Sequence, residues 1–327
     1  MNNRHNASAT TPPPLGGGGR GVRLLFSSQL SSWETARSNY DALSRVKVKE
    51  MEIHGCLYKV QFNPARIVSS AAKVDTKSIQ ERKCFLCPAH LPPVQKGIPF
   101  GGHYQILVNP FPIFPRHLTI PELEHVEQRI LPRFGDMLDL ADALQDYVVF
   151  YNGPRCGASA PDHAHFQAGN KGFLPIEKEW KEKRAEKIVT QEGTTLWALD
   201  DSPRATLLIE AGEKEAAMAL FGIIYGAMEL KTGEEEPMMN VLCWKESDRW
   251  IVCVFPRDKH RPSCYTAEGD ANRLISPASV DMGGVFITPL EKDFEKITAS
   301  DIADILGEVC LRPADFRSLI ERIKERI

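Results

Sequence analysis

The sequence contains no run of about 18 apolar residues, the length that a membrane-spanning helix needs, so we expect no membrane span. It also lacks an excess of either charge, because 40 Lys and Arg stand against 43 Asp and Glu and the formal net charge is −3. A protein that neutralises a nucleic-acid backbone needs a basic surface, so nucleic acid is disfavoured as a partner. Cysteine is scarce, with eight in 327 residues, which disfavours a disulfide-stapled scaffold and favours the reducing cytoplasm.

The overall composition is that of an ordinary globular protein, with 43% hydrophobic and 25% charged residues. At about 100–200 residues per domain, the length predicts one large domain or two moderate ones. Residues 1–21, which end in TTPPPLGGGGRG, cannot bury enough apolar surface to offset their ordering entropy, so we predict a disordered tail. The tail has no apolar segment followed by a small-residue cleavage site, so we do not expect a secretory signal.

Strand patterns dominate the rest of the chain. VKVKEMEIHGCLYKVQFNP alternates in period two around Gly55 and predicts a β-hairpin, and MNVLCWKESDRWIVCVFPR predicts a second one. Helical spacing covers residues 24–43 and 132–146, and EKEAAMALFGIIYGAMELK predicts a long helix. Because strands dominate and helices lie beside them, the predicted fold class is α+β rather than a doubly wound parallel sheet.

The densest polar cluster is YNGPRCGASAPDHAHFQAG, residues 151–169. Side chains at i, i+2 and i+4 share one face of a strand, so His163, His165 and Gln167 are predicted to project together beside a Gly/Ser loop. Imidazole can act as a nucleophile or base near neutral pH, and glutamine can donate a hydrogen bond without titrating. The pattern therefore favours a phosphate site over a pair of satisfied surface histidines.

A second motif, Cys84-Phe85-Leu86-Cys87, has the spacing of a zinc knuckle. No thioredoxin-like βαβ pattern surrounds it, which makes a redox pair the weaker interpretation. The knuckle supplies only half of a tetrahedral site. The residues alone leave the other ligands open among His90, His103, His117, His125 and His163.

A third cluster, PRDKHRP at residues 256–262, follows an apolar strand. Its cationic side chains could receive a phosphate. The alternative, at equal weight, is a solvated turn that keeps the strand edge from pairing.

Four motifs in this order, FNPARIVSS, CFLC, NPFPIFPRHLTIPEL and YNGPRCGASAPDHAHFQ, resemble the nucleotidyltransferase branch of the histidine-triad superfamily. That branch contains galactose-1-phosphate uridylyltransferase, diadenosine tetraphosphate phosphorylase and the GDP-hexose phosphorylases. The match runs from about residue 57 to residue 170, and SPASVDMGGVFITPLEKDFEKIT is similar to the C-terminal part of the GDP-hexose phosphorylases. The resemblance implies a HIT-like antiparallel sheet with flanking helices, in two HIT-like halves at residues 22–190 and 191–327.

The resemblance also implies roles for individual residues. His165 would attack the α-phosphorus of a nucleotide and form a nucleotidyl-histidine intermediate, which divides one transfer into two in-line displacements. Gln167 stands where the hydrolases of the superfamily carry a histidine, which argues for transfer to a phosphate acceptor rather than hydrolysis. Nucleotide or phosphate contacts are expected from Arg66, Asn152, Gly157, Ser159 and Arg257.

A zinc ion is the cofactor that the resemblance implies. In the uridylyltransferase, zinc is held at the positions that correspond here to Cys84, Cys87, His117 and His163. Four protein ligands leave no open position for water, so such an ion would be structural. In the alternative, His117 and His163 bind phosphate instead, because the phosphorylases generally lack this metal.

We therefore expect a nucleotidyltransferase of phosphorylase or hexose-1-phosphate uridylyltransferase type. Its donor would be a nucleotide sugar or a dinucleotide, and its acceptor phosphate or a sugar phosphate. Dimerisation is common in the branch, so the resemblance implies a homodimer. No motif in the sequence itself indicates one. One alternative is a non-catalytic nucleotide-binding or sensing protein. Another is a metal-dependent hydrolase with His163 and His165 as ligands, although only Asp162 lies beside them as a carboxylate.

Overall fold

The computed structural model of the chain describes residues 19–71, 74–199 and 204–327. The strands within these residues are β1 (Lys47–Ile53), β2 (Cys56–Phe62), β3 (Gly97–Phe100), β4 (Tyr104–Val108), β5 (His117–Pro121), β6 (Tyr147–Asn152), β7 (His165–Asn170), β8 (Arg184–Gln191), β9 (Thr194–Leu199), β10 (Leu207–Ala211), β11 (Met239–Glu246), β12 (Arg249–Pro256) and β13 (Val285–Thr288). The α-helices are α1 (Arg20–Ser32), α2 (Glu34–Leu43), α3 (Ile67–Ser70), α4 (Thr76–Glu81), α5 (Phe134–Ala143), α6 (Ile176–Glu179), α7 (Lys214–Ala227), α8 (Ser279–Met282), α9 (Glu291–Lys296), α10 (Ala299–Val309) and α11 (Pro313–Lys324). Among the described residues, no helix combines the length and the apolar character that crossing a membrane requires.

The N-terminal part differs from the prediction in two ways. Helix α1 begins at Arg20, inside the predicted tail, because Val22 and Phe26 bury their side chains against the core; residues 1–18 lie outside the described residues. The single helix predicted over residues 24–43 is two helices. Trp33 divides them with extended backbone angles (φ −117°, ψ 100°).

The two predicted hairpins are confirmed. β1 and β2 pair in register from Lys47 opposite Phe62 to Ile53 opposite Cys56. The two turn residues, His54 and Gly55, both have positive φ, which the tight turn of a twisted hairpin requires. β11 and β12 form the second hairpin.

The strands form two sheets within the described residues. The large sheet has the order β3-β4-β5-β7-β6-β11-β12-β10-β9-β8, and all its neighbouring strands are antiparallel. The small sheet has the order β1-β2-β13, with β13 parallel to β2. The predicted α+β class, with an antiparallel sheet and flanking helices, is confirmed.

The large sheet contains one strand arrangement twice. β3, β4 and β5 are followed by α5 and then by β6 and β7, and β7 pairs with β5. In the same way, β8, β9 and β10 are followed by α7 and then by β11 and β12, and β12 pairs with β10. The two arrangements meet where β6 pairs with β11. The domain boundary at residues 190 and 191 stays a prediction; in the sheet, the second arrangement starts with β8.

Alternating residues of the central strands supply two cores, one on each face of the large sheet. Val149 and Tyr151 of β6 belong to the core that contains residues of α1, α5, α7 and α11. Val148 and Phe150 belong to the core that contains residues of the small sheet and α10. Helices therefore cover one face, and the small sheet with its helices covers the other.

The strand register brings loops from both halves to one end of the sheet. Asn152, the last residue of β6, lies opposite Asn240 of β11. Pro256, the last residue of β12, lies opposite Met239. The chain after β6 and the chain after β12 thus leave the sheet side by side, next to His165 at the start of β7.

Candidate active site

A cavity of about 900 Å³ lies at this end of the sheet. It brings together six of the residues predicted from the sequence, which are Arg66, Asn152, Gly157, Ser159, His165 and Gln167.

Hydrogen bonds determine the protonation of His165. Its Nδ1 lies 2.8 Å from the backbone carbonyl oxygen of His163. A carbonyl oxygen can only accept, so Nδ1 carries the proton and Nε2 carries the lone pair. Burial lowers the pKa of His165 to about 4, so the ring is neutral at pH 7. The first residue of β7 therefore offers an unprotonated ring nitrogen at the cavity.

Gln167 is oriented by His117. The backbone N–H of Ile113 donates to Nδ1 of His117 at 3.1 Å, so the His117 proton is on Nε2. Nε2 lies 3.0 Å from Oε1 of Gln167, to which it donates. This contact uses the amide oxygen and leaves the amino group of Gln167 as the donor for the cavity that it lines.

His117 is therefore not placed as the predicted metal ligand. Its two ring nitrogens contact Ile113 and Gln167, and burial, with a further effect from the charge of Arg66, lowers the pKa of its ring to about 3. The metal-ligand types instead converge at Cys84, Cys87, His125 and His163, whose ligand atoms all lie within 4.8 Å of one another. His125, in the loop after β5, takes the place predicted for His117.

The geometry of this cluster fits a tetrahedral ion. Nδ1 of His163 lies 3.3 Å from Sγ of Cys84 and 3.6 Å from Sγ of Cys87, and Nδ1 of His125 lies 3.2 Å from Sγ of Cys87. Metal–sulfur and metal–nitrogen bonds of about 2.3 and about 2.0 Å at a tetrahedral angle separate the two ligand atoms by about 3.5 Å. The four side chains can therefore hold one metal ion.

The two thiols of the cluster differ in acidity, because burial and the neighbouring Cys84 raise the pKa of Cys87 to about 11, whereas the pKa of Cys84 is lowered. Nε2 of His163 donates to the carbonyl oxygen of Glu122 at 2.8 Å, so Nδ1 is the ring nitrogen that faces the two sulfur atoms and the one that a metal would bind in place of a proton. Burial opposes ionisation of Cys84, but hydrogen bonds from His163 and from backbone N–H groups outweigh it and lower the pKa of this thiol to about 6. A thiolate is the form that binds a metal.

His163 thus lies differently from the prediction. β7 begins at His165, two residues later, so the alternation of a strand does not extend to His163. The ring of His163 lies against the cysteines, whereas Phe166 and Ala168 pack in the core. The backbone carbonyl of His163 remains the link between the metal cluster and His165.

The loop after β6 is held against the C-terminal half. Oδ1 of Asn152 accepts hydrogen bonds from Nδ2 of Asn240 (3.0 Å) and from the N–H of Ser279 (2.8 Å), so its amino group is the donor left for a ligand. Gly157 has φ +91°, and a Cβ there would lie 2.5 Å from Cβ of Ala278. Only glycine lets the loop approach that segment so closely.

Arg66 and Ser159 lie at the cavity with part of their polar groups already bonded. Nη1 of Arg66 donates to the carbonyl oxygen of Phe111 at 2.7 Å. Burial lowers the pKa of Arg66 to about 10, which leaves it charged at neutral pH. The carbonyl oxygen of Ser159 accepts from Arg82 at 3.2 Å.

Arg257 differs from its predicted role as a phosphate ligand. It is 2% exposed, and each of its five N–H groups is already donated to an oxygen of the protein. The acceptors are the carbonyl oxygens of Val309, Pro277, Lys259 and His260 and the side-chain oxygen of Asn240. Arg257 therefore fixes the loop that follows β12. The sequence motif alone could not distinguish this structural role from the binding of a ligand.

Several cavity residues were not predicted individually. His260 and Arg261 reach the cavity from the PRDKHRP motif, Arg82 comes from the end of the segment before the knuckle, and Asp281 comes from α8. The motif was the available signal for the first two. Nothing in the local spacing marks Arg82 or Asp281.

Comparisons with known proteins agree with this architecture. Residues 175–327 match the family model described as "GDPGP1-like, C-terminal domain", and residues 25–170 match the one described as "Domain of unknown function (DUF4922)". The crystal structure of yeast Ap4A phosphorylase Apa2 is similar with a TM-score of 0.61 at 17% identity, over 90% of this chain and 98% of that chain.

Two complexes of the same yeast enzyme are also similar. The complex with AMP gives a TM-score of 0.59 at 17% identity, over 90% of this chain and 97% of that chain. The complex with Ap4A gives a TM-score of 0.57 at 17% identity, over 88% of this chain and 97% of that chain. The comparison with curated proteins gives no significant match. The chain thus has the HIT-like fold of yeast Ap4A phosphorylase, and its residues 175–327 match a GDPGP1-like C-terminal domain, in agreement with the resemblance drawn from the sequence.

Proposed function

We propose that the chain is a phosphorylase-type nucleotidyltransferase that transfers a nucleoside monophosphate through His165 to phosphate or a sugar phosphate. The observation that carries this proposal is the protonation of His165. Its Nδ1 proton is donated to the His163 carbonyl, so a neutral Nε2 is available in a cavity of about 900 Å³. That volume suits a nucleotide-sized ligand.

The first step would be an in-line displacement at the α-phosphorus of the donor. Nε2 of His165 forms the new N–P bond, the P–O bond to the leaving group breaks, and the leaving phosphate takes the electron pair. In the second step an oxygen of the acceptor phosphate forms a P–O bond and the N–P bond breaks. His165 returns to its neutral form with its own Nδ1 proton still donated to the His163 carbonyl oxygen, so no proton has to be supplied.

Gln167 favours a phosphate acceptor over water. Its amino group can donate to a non-bridging oxygen, and it cannot protonate a leaving group. A phosphate leaving group needs little protonation near pH 7, so a non-titrating residue suffices there. Asn152, with its amino group toward the cavity, can bind the phosphates in the same way.

The comparisons support the choice of donors to test. Yeast Ap4A phosphorylase, which shares the fold, has been crystallised with Ap4A and with AMP. The match of residues 175–327 to the GDPGP1-like model adds GDP-hexoses, in line with the resemblance of the C-terminal motif. The donor is therefore proposed to be a dinucleotide or a nucleotide sugar.

We also propose that the ion held by Cys84, Cys87, His125 and His163 is a structural zinc. All four positions are protein side chains, so the ion would have no open site for water. It would hold the knuckle against the loop that leads into β7. His165 does not belong to the Cys/His cluster, and its Nδ1 donates to the backbone carbonyl oxygen of His163. This arrangement disfavours a metal-dependent hydrolase with His165 as a metal ligand.

Intact-protein mass spectrometry in phosphate-free buffer tests the covalent step. The protein would be incubated separately with GDP-glucose, GDP-mannose, UDP-glucose, ATP and Ap4A. The expected product is one adduct with the mass of a nucleoside monophosphate less water, present in His103→Ala and absent in His165→Ala. His103 is the matched control because its half-exposed imidazole lies outside the described cavity lining. Adduct on His165→Ala would refute the assignment of the nucleophile.

The same experiment addresses the non-catalytic alternative. A binding or sensing protein would retain nucleotide affinity in His165→Ala and would form no adduct and no product in the unsubstituted chain. Detectable binding without any adduct, for every donor, would favour that alternative.

Metal analysis tests the zinc assignment. We expect about one zinc per chain, lost in Cys84→Ala and His125→Ala and retained in His117→Asn. Retention of zinc in His125→Ala together with its loss in His117→Asn would contradict the ligand set derived from the structure.

A further inference from the structure

The chain after β12 reaches the cavity from the C-terminal half. Asn240 lies opposite both Asn152 of β6 and Phe255 of β12, so the two strands on either side of β11 end at the same edge. His260 and Arg261 line the cavity on the chain that continues from β12.

Arg261 is held with its guanidinium in a defined plane. Its Nε donates to Oγ of Ser276 at 3.2 Å, and its guanidinium carbon lies 4.0 Å from the ring centroid of Tyr265. The hydroxyl of Tyr265 in turn donates to the carbonyl oxygen of Ser70 at 3.2 Å. Stacking on the ring holds the guanidinium in one plane, and a planar guanidinium is the cation whose geometry matches phosphate oxygens.

Arg257 ties this loop to the loop after β6. Nη2 donates to the carbonyl oxygens of Lys259 and His260, at 3.1 and 3.2 Å, which fixes the backbone immediately before Arg261. Nη1 donates to Oδ1 of Asn240, whose Nδ2 donates to Oδ1 of Asn152. Arg257 is thus a positioning residue for both loops.

The charge of the cavity suits an anion. Its described lining contains three arginines, Arg66, Arg261 and Arg82, the last of which pairs with Asp162 at 2.8 Å, and one carboxylate, Asp281. Asp281 accepts backbone N–H groups of Ala278 at 2.8 Å and Ile287 at 3.3 Å, so both of its oxygens are bonded within the protein.

We propose that Arg261 binds the phosphate that leaves the α-phosphorus in the first step and the phosphate that attacks it in the second. This proposal rests on the proposed function and names the residue of the C-terminal half that recognises the acceptor. Both phosphates must lie in line with the His165–phosphorus bond, on the side away from the histidine, so one cationic site serves both steps. No group beyond the acceptor is required: its oxygen forms the P–O bond as the N–P bond breaks.

The test separates the two half-reactions. Adduct would be prepared on the unsubstituted protein, on Arg261→Met and on Arg312→Met by long incubation with the active donor, and then freed of donor. Its decay would be followed against inorganic phosphate concentration. Arg312→Met is the control, because it removes the same charge from the C-terminal half and its side chain is 74% exposed. Arg261→Lys keeps the charge without the planar fork.

We expect Arg261→Met to need about 10- to 100-fold more phosphate for half-maximal decay, the range of one or two lost charge-assisted hydrogen bonds. Arg261→Lys should fall between it and the unsubstituted protein, and Arg312→Met should be unchanged. The same phosphate dependence in Arg261→Met and the unsubstituted protein overturns the proposal. If the unsubstituted protein forms no adduct, the proposed function fails. In that case, calorimetric titration with inorganic phosphate tests the role of Arg261 independently of the adduct. Equal phosphate affinity in Arg261→Met and in the unsubstituted protein overturns that role.

Discussion

His117 orients the amide of Gln167, so substitutions of His117 test what that orientation contributes to the reaction. Asparagine at residue 117 places a side-chain oxygen near the position of Nδ1, so it can still accept the N–H of Ile113, but it cannot reach Gln167. Glutamine places its amino group near the position of Nε2, so it can still donate to Gln167. We expect His117→Asn to slow adduct formation and His117→Gln to slow it much less.

The expected magnitude follows from the contact that is lost. Without its donor 3.0 Å away, the amide of Gln167 is free to present its oxygen to the phosphate. A hydrogen bond to a charged group contributes about 1.5–3 kcal/mol, and about 1.4 kcal/mol corresponds to a factor of ten. We therefore expect adduct formation in His117→Asn to be about 10- to 100-fold slower. His117→Gln should be the less stable variant, because the buried N–H of Ile113 loses its acceptor, at a cost of about 1–3 kcal/mol.

Single-turnover mass spectrometry of the adduct measures this rate. Because His117 acts through Gln167, His117→Asn should add little to the effect of Gln167→Ala, and the double variant should be no slower than Gln167→Ala alone. If the two effects multiply, His117 acts on the reaction by another route. If His117→Gln is as slow as His117→Asn, donation to Gln167 is not what matters.

Three further predictions concern the pH dependence of stability, the loop after β6 and the proposed metal. Burial lowers the pKa of His117 from 6.5 to about 3 in the folded protein. Between these two pH values the ring is protonated in the unfolded chain and neutral in the folded one. The free energy of unfolding therefore falls as pH falls from 6.5 to about 3. In chemical denaturation, His117→Asn should therefore reduce the slope of unfolding free energy against pH between 6 and 4 by up to about 1.4 kcal/mol per unit; an unchanged slope would count against a buried neutral ring. Gly157→Ala should slow adduct formation, because the new Cβ meets Ala278 at 2.5 Å, whereas Gly172→Ala, with φ +80° and nothing within 4 Å, should affect only stability; equal rates in the two variants would show that the close approach is unimportant. Removal of metal by a chelator should lower the melting temperature and slow adduct formation together, since the His163 carbonyl holds His165; an unchanged rate in metal-free protein would separate the cluster from the nucleophile.

The sequence predicted those parts of the site that depend on neighbours along the chain. The alternation in HFQA fixed which side chains of β7 face the core, and the hairpins followed from period two and their turns. The membership of His125 in the Cys/His cluster was not predictable in this way. His117 and His125 lie eight residues apart, and only the course of the chain after β5 brings His125 to Cys87. Arg257 was assigned to phosphate for a similar reason, since a cationic motif does not reveal which of its arginines the backbone already occupies.

The repeated strand arrangement explains why one site needs both halves. In the N-terminal half, β6 and β7 are joined by residues 153–164, of which residues 157–160 line the cavity and His163 belongs to the Cys/His cluster. In the C-terminal half, the equivalent strands β11 and β12 are joined directly at residues 247 and 248, which leaves no room for a second phosphate loop. That hairpin instead holds Asn240 beside Asn152 and delivers Arg257 and Arg261 to the same edge of the sheet. Under the proposed function, the repeated strand arrangement therefore supplies the nucleophile from one half and the residues that position its phosphates from the other.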